Sequence, residues 1–188
     1  GSLLGEEEDL SRRMDQASTS YGRMYSLWIR RQLVSEETRL RLYNAIVLPT
    51  LLYNCETWGL TEAALEKLNA FHRRQLRNLF GIRYPAIISN KDLYSRAHTQ
   101  PLSHTVAVRR FRMLGHVLRM PSDAPPQQAM DNYFRRDVTG VRGRPKSNLA
   151  TAVKASTAAR DMPLKTMTDL SGLRMRALDK QSWRELSA

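Results

Sequence analysis

The chain has 188 residues, enough to bury a real core in one domain or in two small helical ones. Its single cysteine, Cys55, excludes a disulfide framework and a multi-thiolate zinc site within the chain, and predicts a reducing compartment. The formal net charge of +12 is unevenly spread: residues 1–70 hold 8 Lys/Arg and 10 Asp/Glu, residues 71–146 hold 15 and 4, and residues 147–188 hold 7 and 4.

No run approaches the ~20 consecutive apolar residues of a membrane span, and the N-terminus does not have the form of a signal peptide, so a soluble intracellular protein is expected. Without an initiator methionine, the chain reads as a piece of a longer one.

After the acidic start Glu6-Glu7-Glu8-Asp9, apolar or small residues at Leu10, Met14, Ala17, Tyr21, Met24 and Trp28 predict one amphipathic helix, with its carboxylates placed at the positive end of the helix dipole. Ser35, followed by Glu36 and Glu37, caps a second helix through Leu40, Tyr43, Val47 and Leu52, which Pro49 should kink or break. Thr61 caps a third, with Leu65, Leu68, Phe71, Leu76 and Leu79 as its core face. Its other side is predicted to carry His72, Arg73, Arg74 and Arg77, and Gly81 ends it.

A short helix is expected around Lys91–Ala97 and a longer one from about His104 to Met120. In the latter Ala107, Phe111, Leu114 and Leu118 share a face, leaving Arg109, Arg110, Arg112 and Arg119 for other surfaces. Residues 121–147 read as a long connection with at most a short helix near Gln127–Phe134, followed by helices near 147–160 and 167–186. Period-two alternation never persists, so no strand is predicted.

The sequence offers little to a catalytic reading. Two-metal chemistry needs converging carboxylates, yet the adjacent acidic clusters fall at helix starts. His72, His98, His104 and His116 lack the spacing of metal ligands, and no nucleophile elbow or phosphate-cradling glycine loop is present. No catalytic residue, metal or cofactor is therefore expected. Trp28, Trp58 and Trp183 sit among apolar neighbours at helical spacing and are expected in the core.

The middle segment, by contrast, holds all four histidines and all four phenylalanines among its 15 cations, a pattern that points to nucleic acid. Arg73, Arg74, Arg77, Arg109, Arg110, Arg112, Arg119, Arg142, Arg144 and Lys146 are the expected contacts, made mainly to phosphates. Val141-Arg142-Gly143-Arg144-Pro145-Lys146 could lie along a backbone or in a narrow minor groove, or be a solvated loop before a helix.

Several stretches resemble the region downstream of the polymerase active site in non-LTR retrotransposon (LINE-type) reverse transcriptases. Arg39 to Ala45, Leu48-Pro49-Thr50-Leu51-Leu52-Tyr53 and Glu56-Thr57-Trp58 are similar to that family's thumb. Leu79-Phe80-Gly81-Ile82-Arg83-Tyr84-Pro85, Ile88 to Leu93 and Arg109 to Pro121 are similar to its post-thumb linker, and Gly143-Arg144-Pro145-Lys146 and Trp183-Arg184 have counterparts near its C-terminus.

The resemblance covers about residues 3–186. It implies an all-α chain without a sheet: a thumb-like helical bundle over 1–60, a basic helical linker domain over 61–120, and a Pro/Gly-containing connection with C-terminal helices over 121–188. It also implies a part that grips primer–template, template RNA or target DNA during target-primed reverse transcription, with RNA, DNA or their hybrid and the parent polymerase's palm as partners. Integration would place it in the nucleus, with a cytoplasmic ribonucleoprotein as another setting. The fingers, the palm with its paired aspartates and the endonuclease domain are absent, so the fragment is not expected to polymerise DNA. A scaffold that docks on the palm or self-associates is the alternative expectation. With one cysteine, the Cys/His zinc knuckle of some relatives cannot form.

Overall fold

A computed structural model describes residues 5–29, 32–135, 149–162 and 164–186, and among them the chain is all-α with no strand. None of the described helices is long and apolar enough to cross a membrane. Contacts divide the chain into two compact units, the first of residues 1–54 and 61–105, the second of residues 55–60 and 106–188. Residues 55–60 group with the chain from Val106 onward.

The first unit begins with α1 (Glu6–Arg23) and α2 (Tyr25–Ile29), separated at Met24, where a single helix was expected. Tyr21 explains the break. Its carbonyl accepts from the Met24 N–H at 3.1 Å and from the Trp28 indole Nε1–H at 2.7 Å, so the chain turns and lays the two rings together, 4.7 Å between centroids.

Ser35 caps α3 (Glu36–Leu42), its hydroxyl accepting from the Thr38 N–H at 3.2 Å. The disturbance expected at Pro49 takes the form of a π-helical turn, Tyr43–Val47, before the four-residue α4 (Leu48–Leu51). A wide turn just ahead of a proline absorbs the missing donor and the ring's crowding of the preceding carbonyl. α1 packs against this turn and α4.

Thr61 and Gly81 bound α5 (Glu62–Phe80) as expected: the Thr61 hydroxyl accepts from the Ala64 N–H, and Gly81 adopts φ 73°, which a residue with a side chain resists. α5 packs on α1, on α3 and on α6 (Asn90–Arg96). The buried Arg39 guanidinium donates to the Leu79 carbonyl near the C-terminal end of α5, where a cation is favoured.

His72 was expected on the cationic side of α5 and is instead buried. It follows Leu68 and precedes Leu76 by four residues, so helix phase carries it into the core, where Tyr43 supplies a partner 2.8 Å from Nδ1. Burial pushes the Tyr43 hydroxyl pKa up, so it remains protonated, and it shares one hydrogen bond with Nδ1 in which the imidazole tautomer sets the donor. Burial also pulls the His72 pKa down to about 4.

Because the folded pKa lies below the ordinary value of 6.5, the unfolded chain binds the extra proton. The contribution is complete above pH 6.5 and is lost as pH falls toward 4, up to about 3 kcal/mol by linkage. Urea midpoints measured from pH 7.5 to 4.5 are expected to fall on acidification, and a His72→Gln variant to flatten that fall. An unchanged pH dependence in the variant would contradict the neutral buried imidazole.

The second unit is built on most of α7 (Leu102–Leu118), whose first residues belong to the first unit, together with α8 (Pro125–Arg135), α9 (Leu149–Ala158), α10 (Met167–Leu178) and α11 (Lys180–Glu185). α8 is longer than expected because Pro125 and Pro126 occupy its first turn, where prolines are tolerated. The last predicted helix is two. Asp179 ends α10 with an extended backbone, and its carboxylate accepts from the Gln181 and Ser182 N–H groups to start α11. A Thr166–Asp169 capping box opens α10.

Phe111, Leu114 and Leu118 meet Leu164, Leu170, Leu173 and Trp183 in one cluster. Trp183 stacks on Phe111 with 4.4 Å between centroids and an interplanar angle of 1°, and its Nε1–H donates to the Phe111 carbonyl at 3.1 Å. Trp28, Trp58 and Trp183 are each 2% exposed, in line with the core role expected of them.

Candidate nucleic-acid interface

α7 presents its four arginines in different ways. Arg112 is exposed, and Arg119, seven residues on, is half-buried with Nη1 donating to the Ala177 carbonyl at 2.9 Å. Arg109 is exposed, its Nη1 lying 3.9 Å from Cys55 Sγ. Arg110 departs from expectation. It is 5% exposed, donating through Nη2 to the Trp58 carbonyl and through Nη1 to Ser156 Oγ at 3.4 Å. Like His72, it occupies a core phase, four residues after the buried Val106 and four before the buried Leu114. It is a structural group, not a surface contact.

Arg112 and Arg119 are brought together with two cations that the sequence reading did not single out. Both come from α11, where Lys180 and Arg184 lie four residues apart and flank Trp183 on one face of the helix. These five residues line a pocket of about 300 Å³. None of them is acidic, and the side chains of Arg112, Lys180 and Arg184 make no ion pair or hydrogen bond with a described residue. Four like charges around one concavity repel each other, and an anion entering it reverses the sign of that interaction.

Trp183 fixes the geometry of this cradle. It is seated against α7 at Gly115, where a Cβ would fall 2.2 Å from the indole nitrogen, so the absence of a side chain there sets how closely the two helices approach. Spacing could have signalled the α11 pair: Lys180-x-x-Trp183-Arg184 is a short basic helix with an apolar anchor.

In the first unit, the α5 arginines are mostly engaged with the protein. Arg73 pairs with Glu66 at 2.5 Å, and Arg77 holds the segment before α6 through Asn90 Oδ1 at 2.8 Å and the Ile88 carbonyl. The Arg73 contact lowers the pKa of the exposed Glu66 carboxyl. Arg74 is exposed, its guanidinium 5.5 Å from the centroid of the Phe71 ring. Arg142, Arg144 and Lys146, with the whole Val141–Lys146 motif, lie outside the described residues.

Among the described residues, no group of three or more His, Cys, Asp and Glu side chains could hold a metal ion. Cys55 is buried, and burial pushes its thiol pKa up to about 11 despite the nearby Arg109 guanidinium, so little thiolate forms at neutral pH. A second pocket in the same unit, about 380 Å³, is apolar, lined by residues that include Met113, Val117, Met130, Leu149 and Val153. Comparison of the chain with protein-family models, curated proteins and solved structures finds no match in any of the three.

Proposed function

We propose that the chain is a non-catalytic nucleic-acid-binding part of a non-LTR retrotransposon reverse transcriptase, a thumb followed by a linker that grips primer–template, template RNA or target DNA. The observation that carries the binding role is the cradle of Arg112, Arg119, Lys180 and Arg184, four converging cations with no lining carboxylate. The stretches from Arg39 to Trp58 and from Arg109 to Pro121 support the family assignment by resemblance. The parent enzyme would be an RNA-directed DNA polymerase whose palm supplies the chemistry.

Phosphate contacts release condensed counterions, so affinity should fall steeply with salt. Fluorescence anisotropy with labelled single-stranded RNA, duplex DNA and RNA–DNA hybrid is expected to show binding whose log K falls with log salt at a slope of about −3 or steeper for at least one of them. Absence of binding to all three at low salt would refute the proposal.

The apolar pocket favours a second reading, a scaffold that docks on the polymerase palm or on another copy through that face. Self-association that persists at high salt without nucleic acid, measured by sedimentation, would favour it over the first.

A further inference from the structure

Resting on the nucleic-acid reading, we propose that the α7–α11 cradle is a site for the phosphodiester backbone of an unpaired strand, and not for the side of a duplex. Its form is the reason. Arg112 and Arg119 from one helix and Lys180 and Arg184 from another surround a single concavity of about 300 Å³. A duplex is stiff over ~150 base pairs and cannot fold consecutive phosphates into so small a recess. An unpaired strand bends, and can fold consecutive phosphates into a recess.

The lining also decides what part of the strand is read. Grooves that bind single strands commonly stack bases on aromatic rings. Here the one ring in the lining, Trp183, is 2% exposed, lies against Phe111 and donates its Nε1–H to the Phe111 carbonyl. It offers neither an open face for stacking nor a free donor for a base edge. The remaining lining groups are cationic donors, which hold phosphate oxygens whatever the sequence. Recognition at the cradle is therefore of the backbone, tolerant of sequence.

The test compares the intact chain with an Arg112→Gln/Lys180→Gln/Arg184→Gln variant. All three side chains are exposed and bond to no described residue, so the fold is spared; Arg119 is retained because it donates to the Ala177 carbonyl. The ligands are 20-mer oligodeoxythymidylate, 20-mer oligouridylate and a 20-base-pair DNA duplex, each titrated across a salt series. For the single strands, the triple variant is expected to lose about tenfold in affinity and about 2 units of salt slope, near 0.7 per contact removed. Duplex binding is expected to be unchanged.

Equal losses on duplex and single strands, or no loss on single strands, would overturn the cradle assignment while leaving general nucleic-acid binding in place. Failure of the intact chain to bind any of the three would overturn both. A Lys165→Gln/Arg176→Gln variant removes two exposed cations outside the cradle; the same slope loss per charge there would show a response to net charge, not to a site, and would also overturn it. Inorganic tripolyphosphate, added as competitor, separates a strand from a small polyphosphate. Displacement of the 20-mers only at a large molar excess is expected, whereas tighter binding of tripolyphosphate than of the strands would overturn the proposal.

Discussion

Arg110→Ala is expected to destabilise the second unit by about 2–4 kcal/mol, whereas Arg112→Ala, two positions along the same helix, should change stability by no more than about 0.5 kcal/mol. Arg110 is 5% exposed, and its guanidinium donates to the carbonyl of the buried Trp58 and to Ser156 Oγ. Truncation removes both donors from a buried site and leaves a cavity where the guanidinium lay. Lysine at this position carries one ammonium instead of a planar fork, and methionine fills volume without donating, so neither should restore stability.

The Arg112 side chain contributes to the cradle and bonds to no described residue, so its removal should weaken binding and leave folding alone. Urea unfolding followed by tryptophan fluorescence reads the second unit through Trp58 and Trp183, with Trp28 reporting the first. A normal midpoint for Arg110→Ala combined with lost binding would return this residue to the surface role expected from the sequence.

The contrast between Arg110 and Arg112 also shows where sequence reading succeeds and where it stops. Helix type and most helix ends were legible because their causes are local: Ser35 and Thr61 accept from the third residue of their helices, and Gly81 takes the left-handed backbone that ends α5. Polar residues on a core phase were not legible. His72 and Arg110 each sit four residues from apolar neighbours on both sides, and the usual cost of burying a polar group argues for the surface. Their partners, the Tyr43 hydroxyl and the Trp58 carbonyl, lie 29 and 52 residues away, so only the tertiary fold reveals that the cost is met.

The cradle was half legible for the same reason. Arg112 and Arg119 stood out through the charge density of α7, but Lys180 and Arg184 belong to a segment of modest net charge. They join the site through a long-range contact, the stacking of Trp183 on Phe111 across 72 residues of chain. The break at Asp179 that frees α11 to turn toward α7 rests on a side-chain cap inside what reads as one continuous helix.

That long-range contact makes Gly115→Ala a decisive substitution. Alanine in a helix interior ordinarily gains about 1 kcal/mol over glycine. At Gly115 the added Cβ would lie 2.2 Å from Trp183 Nε1 and 2.6 Å from Cδ1 and Cε2. The indole cannot retreat without breaking its stack on Phe111 and its hydrogen bond to the Phe111 carbonyl. Overpacking of this kind costs about 1–3 kcal/mol, so the sign reverses and the variant should be less stable than the parent. Gly172, in α10, has nothing within 4 Å of its would-be Cβ, and Gly172→Ala should gain the ordinary increment. Binding should separate the two as well. α11 is only six residues long, too short to persist without tertiary contacts, so Lys180 and Arg184 hold their positions because Trp183 is seated. Gly115→Ala should therefore weaken single-strand binding without removing any charge, and Gly172→Ala should not. Equal stability changes in the two variants, read from urea midpoints, would mean that Trp183 is not held against Gly115 and that the cradle is assembled by other contacts.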